Sequence, residues 1–241
     1  MLSNLIHNYQ NSKSFLIAER IQNEIHSFKC IHQASLQDLL ASFYEITGNS
    51  LRSNADIARL PFNDRSILLR TAATNVTCMG AEFMLYHSQL LHYEIFWYYL
   101  EPIYGKLAVN YSKWSSKFID PDPIISKLSI ALFSLSTNAR IYCLNLETEY
   151  TNIEGILNIE NRYAQMIWKY LLYKYDYTET IRRYLHIVEW FLALTTFIQS
   201  VYNVDIHVND VESLVEQTEI ALILDDVDRI GDNNISLSNT S

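Results

Sequence analysis

The stretch LPFNDRSILLR, Leu60 to Arg70, decides how the rest of the chain is arranged. Pro61 forces Leu60 away from the α region and ends any helix that precedes it. Asn63 and Asp64 then offer a capping side chain and a negative charge to the N-terminus of a new helix. That helix carries Ile67, Leu68, Leu69, Ala72, Ala73, Val76, Met79, Gly80, Ala81 and Phe83, so apolar residues cover nearly its whole circumference from about Ile67 onward. A helix that is apolar all round is buried all round. The expectation is a middle helix held between two outer helical layers.

Composition agrees. Of 241 residues, 49% are hydrophobic and 13% aromatic, with only 5 Gly and 4 Pro, which suits long packed helices better than the turns of a sheet protein. One compact unit of this size buries roughly three quarters of its surface. The formal charge of −9 and a pI near 5.2 leave no general basic surface for phosphates, so nucleic-acid binding by this segment is not expected. Three cysteines, Cys30, Cys78 and Cys143, are too few and too scattered for a disulfide framework or a four-cysteine zinc module. Nor is there an apolar signal core or an uncharged run of the roughly 18 to 20 residues that cross a bilayer. The chain is read as cytosolic or nuclear, with no membrane partner.

In order, residues 2–28 suggest two helical pieces broken near Asn11 to Ser14. A helix from Ser35, with Asp38 three positions on, runs through Leu36, Leu39, Leu40, Phe43 and Ile46 toward Leu60, with Gly48 and residues 49–54 as its weak middle. Leu85 to Tyr104 reads either as a helix end or as a short hairpin, with Pro102 and Gly105 at its end. Asp120 to Pro123 is a loop within one domain. Helices follow at Ile124–Leu135, Thr151–Tyr173 and Thr178–Val201, then an apolar segment at Leu214–Leu224. The division expected is one domain over 1–224 and a disordered polar tail over 225–241.

LPxxDxxxLLR, with a helix before it and a long buried helix after it, resembles the signature of nuclear hormone receptor ligand-binding domains. Leu60, Pro61, Asp64, Ile67, Leu68, Leu69 and Arg70 match it; Arg65 stands where the family has glutamine, and Ala73 and Asn75 replace its aromatic and glutamate. LSIALFS and IENRYAQMIWKYL resemble the family's eighth and ninth helices more weakly. The resemblance implies an all-α, three-layer antiparallel helical sandwich with one small β-turn near residue 90. It also implies a nuclear transcriptional regulator, shuttling with the cytoplasm at most. Its partners would be a small apolar ligand, LxxLL-type coregulator helices, and a homo- or heterodimer partner meeting residues 178–201.

For sites, the resemblance implies a ligand cavity lined by Phe43, Ile46, Met79, Phe83, Met84 and Leu194. It puts Met84 where acid-binding members have arginine, so a carboxylate ligand would lack its usual partner. The coregulator groove would be built from Arg52 as the basic clamp, Ile57 and Ile67 as floor, and Glu216 or Glu219 as the acidic clamp. The activation helix fits poorly, since SLVEQT around Glu216 and EQTEIA around Glu219 both depart from two apolar residues, any residue, Glu, then two apolar residues.

Catalytic machinery is not visible. Seven histidines are scattered without i, i+3 or i+4 pairs, so no metal site is expected. Asp225, Asp226 and Asp228 lack the carboxylate that a diphosphate-binding motif needs, because Arg229 stands there. No Gly-rich loop or nucleophile elbow occurs. The chain is therefore read as a non-enzyme that needs no cofactor. The alternative to a receptor is a ligand-independent helical scaffold or adaptor with a filled pocket.

Overall fold

The computed structural model describes residues 13–136, 150–201 and 204–238, with side chains as far as residue 227. Its helices are α1 (Lys13–Phe28), α2 (Gln33–Ser53), the single turn α3 (Ala55–Ala58), α4 (Phe62–His87), α5 (Glu94–Ser115), α6 (Pro123–Ser134), α7 (Ile153–Lys174), α8 (Tyr177–Val201) and α9 (Asp205–Ser238). The fold is all-α, and the described residues contain no strand. Residues 1–12, where a break near Asn11 is expected, and Cys143 lie outside the described residues.

Helix α4 takes the central place that its composition demands. It packs against α1, α2, α6, α8 and α9, and Leu68, Ala73 and Met79 are fully buried. Around it α5 lies on α8, α6 on α7, and α7 on α8.

The start of α4 differs from the sequence expectation. Its N-cap is Pro61, with no side-chain bond to the helix, so the expected side-chain cap is absent, while Asp64 does place its negative charge in the first turn. Asp64, wholly buried, reaches across instead: its carboxylate accepts from the Thr151 N–H (2.6 Å), the Thr151 hydroxyl (2.9 Å) and the Asn152 N–H (2.9 Å). The carboxylate therefore holds the entry to α7, whose own cap is Asn152.

Leu85 to Tyr104 forms no hairpin. A short 3-10 turn at Leu90–His92 leads into α5, which runs past Pro102 and breaks at Gly105, where φ is 83° and ψ 154°. Glycine visits this region at little cost, so a bend replaces the expected end.

The Asp120–Pro123 loop is a bonded corner. Asp122 caps α6 through the Ile124 N–H and takes Lys174 Nζ (2.7 Å) and the Tyr170 hydroxyl (2.9 Å), while Arg183 pairs with Asp120 (2.8 Å). These bonds keep Asp122 below the ordinary carboxylate range although burial works against them.

Helix α9 is the longest of the described elements. Backbone helix continues through Asp225 to Ser238, over the stretch read from the sequence as a disordered tail. Its earlier part lies across α2 and α4, burying Val211, Leu214, Val215 and Leu222. Gly48, read as a weak point of α2, sits at that crossing, and a Cβ there would stand 2.8 Å from the Leu214 Cδ1. Its missing side chain lets the helices approach.

Candidate functional site: a buried cavity and the helix that spans it

A cavity of about 70 Å³ lies between α2, α4, α5, α8 and the start of α9. Leu40, Phe43, Leu85, Phe96 and Trp97 give it apolar walls, into which Tyr44, Glu82, Tyr104 and His207 bring polar groups. Of the six residues implied for a ligand cavity, Phe43 lines it. Ile46, Met79, Phe83, Met84 and Leu194 are buried in the surrounding core and form no part of its lining.

The polar residues come from separate helices. Glu82 is the one charged residue between Ala72 and Leu85 of α4, and it is 1% exposed. It accepts from Trp190 Nε1 of α8 at 3.0 Å and from the hydroxyl of Ser115 of α5, so one carboxyl ties three helices together. No cation faces it among these partners, and burial raises its pKa to about 7 against the lowering effect of those donors. Tyr44 of α2 bonds His207 Nδ1 at 2.8 Å and also pairs with Tyr104 of α5. Burial lowers the pKa of His207 to about 4, holding the ring neutral. Its Nε2 is buried with no hydrogen-bond partner among the described residues.

Beyond Leu40, Tyr44 and Tyr104 lies a second space, a cleft of about 540 Å³ between α2 and α9, reaching Gly48, Arg52, Asp210 and Ala221. At its far end the implied coregulator groove is occupied by the chain itself. Arg52 makes a two-pronged pair with Asp225, at 2.9 and 2.6 Å, and Arg65 donates to Asp226 at 2.7 Å and to the Ala58 carbonyl at 3.2 Å. Glu219 accepts from Ser66 (2.5 Å) and Arg70 (3.3 Å). Ile223 and Val227, both exposed, line an open space together with Ala58, Leu60 and Phe62. Ile57 and Ile67, implied as groove floor, are buried beneath, and Glu216 points to solvent. Arg52 is thus paired with Asp225 rather than held ready opposite Glu216 or Glu219.

Sequence reading missed Tyr44, Glu82, Tyr104 and His207. Only Glu82 carries a local signal, a lone carboxylate in an apolar helix; His207 is one of several scattered histidines until the fold sets it beside Tyr44. The described residues hold no group of three or more His, Cys, Asp or Glu that could bind a metal ion. Comparison with family models, curated proteins and solved structures finds no match to this chain.

Proposed function

We propose that this chain is a ligand-responsive regulatory domain of the nuclear receptor type, a three-layer helical sandwich that binds a small apolar molecule and coregulator helices and acts in transcription in the nucleus. One observation carries the proposal. A single helix, α9, closes the buried cavity with His207 and covers the Arg52 groove with Asp225 and Asp226. A change in the cavity therefore has a rigid route to the groove. Support also comes from the LPxxDxxxLLR signature and from the order of the helices around α4. In the form described, the groove is closed.

The test is a titration of a fluorescent LxxLL peptide against the wild type, Arg52→Glu, and the pair Asp225→Asn with Asp226→Asn. An incoming helix presents unsatisfied C-terminal carbonyls, which Arg52 would cap once freed from Asp225. The double variant should bind the peptide roughly five- to thirty-fold tighter than the wild type, the span of a 1 to 2 kcal/mol change. Arg52→Glu, which loses both the closure and the cap, should not. Absence of peptide binding by all three proteins would favour the scaffold reading.

A further inference from the structure

The inner cavity and the outer cleft share a wall of three side chains, Leu40, Tyr44 and Tyr104. At about 70 Å³ the inner space holds only a few heavy atoms, well below the roughly 300 Å³ at which pockets for drug-sized molecules begin. The cleft, at about 540 Å³, is within that range. Tyr104 is the part of the wall able to yield. It is half-buried and immediately precedes Gly105, where α5 breaks. Tyr44 is buried on α2 and anchored through its hydroxyl to His207.

The chemistry of the site comes from His207. It is 4% exposed, lines the cavity, has Nδ1 engaged by Tyr44, and keeps Nε2 buried without a partner among the described residues. A buried polar atom left without a hydrogen bond is costly, and a ligand atom in reach would relieve that cost. In a neutral imidazole one nitrogen donates and the other accepts. Tyr44 donating to Nδ1 would leave the ring proton on Nε2. No lysine or arginine lines the inner cavity, whereas Glu82 does. A carboxylate has nothing there to neutralise it.

We propose that the inner cavity and the cleft are two halves of one binding site, joined when Tyr104 swings aside, for an uncharged and largely apolar molecule whose carbonyl-type oxygen accepts from His207 Nε2–H. The proposal rests on the regulatory reading for its consequence, because His207 belongs to the helix whose other end covers Arg52. It specifies the ligand as a neutral acceptor, whose polar end in the inner half meets no lysine or arginine that would hold a fatty acid anion there.

The probes are 2-decanone, decane, 1-decanol and decanoate, titrated against the full chain with Trp97, which lines the cavity, as the fluorescent reporter and native mass spectrometry as the count of bound molecules. 2-Decanone should bind at least tenfold tighter than decane or decanoate. His207→Phe should bring the ketone down to the level of the alkane, His207→Gln, which keeps an N–H donor, should retain part of the preference, and Tyr104→Ala should bind the ketone tighter than the wild type. Melting curves establish that each variant is folded; Tyr104→Ala leaves the histidine intact and carries the test if His207→Phe does not fold. Equal affinity for ketone and alkane in both the wild type and Tyr104→Ala overturns the proposal. So does tightest binding of decanoate, or binding of the alcohol without the ketone, which would put the ring proton on Nδ1. An LxxLL titration run with and without ketone separates the two readings: ketone binding that leaves peptide affinity unchanged keeps the site and sinks the regulatory coupling, while peptide binding without ketone binding does the reverse.

Discussion

Glu82 shows how much one side chain can connect. Its carboxyl joins α4 to α5 and α8 with no cation among its described partners, and burial raises its pKa from the ordinary 4.5 to about 7. A carboxyl raised in this way binds a proton more tightly in the folded chain than in the unfolded one. Its contribution is complete below pH 4.5 and is lost as pH rises toward 7. Relative to Glu82→Gln, the wild type should therefore lose on the order of 3 kcal/mol of stability across that window. The difference is measured by denaturant titrations of both proteins at a series of pH values; a constant gap would mean that Glu82 does not titrate there. His207 acts in the opposite sense: with its pKa lowered to about 4, its contribution is complete above 6.5 and is lost as pH falls. Comparing the pair of proteins cancels that second effect. Leu68, with no exposed surface at the centre of α4, is the plainest packing residue. Leu68→Ala should cost about 2–5 kcal/mol. A denaturant midpoint that barely moved would place Leu68 outside the core.

At the scale of elements, α8 and α9 carry the interactions of interest. Helix α8 is long and apolar enough to cross a bilayer by length and composition, yet it packs on α5 and α7 with Ile187, Trp190, Leu194 and Ile198 buried. Its opposite face exposes Ile181, Leu185, Val188 and Leu192 at alternating spacings of four and three, a seam suited to a second helix. We expect self-association through this face, and Leu185→Glu with Leu192→Glu should shift the sedimentation profile at tens of micromolar to monomer without lowering the melting temperature by more than a few degrees. A wild type that sediments only as monomer refutes it. Helix α9 is held differently, by acidic residues meeting Arg52, Arg65 and Arg70. Arg52 and Arg70 are half exposed, and Arg65 is shielded beside Phe62. The two exposed pairs weaken with salt. Hydrogen exchange along residues 219–227 should consequently speed up between low and high salt while exchange in α4 stays constant.

At the scale of the whole molecule, helical class, the break at Pro61 and the burial of α4 were legible in the sequence, because proline stereochemistry and the span of apolar residues around a helix are local properties. The boundaries of α6, α7 and α8 followed from the same periodicity. Local pattern tells which residues leave water, and says nothing of which neighbour they meet. So Asp64 read only as part of its own helix's start, and the fold also turned its carboxylate to Thr151 and Asn152. Gly48 read as a flaw in α2, and the fold made it the place where α9 comes closest. The cavity was the least legible feature, since its lining is drawn from five helices and its polar groups, Tyr44, Glu82, Tyr104 and His207, are far apart in the chain. Residues of the same apolar type, such as Phe43 and Met79, fall on its wall or in solid core according to a rotation that no sequence spacing specifies. The sequence by itself determined the helices and their buried faces. Only the tertiary structure decided that Asp225 and Asp226 of α9 meet Arg52 and Arg65, because those arginines belong to α2 and α4, far away in the chain.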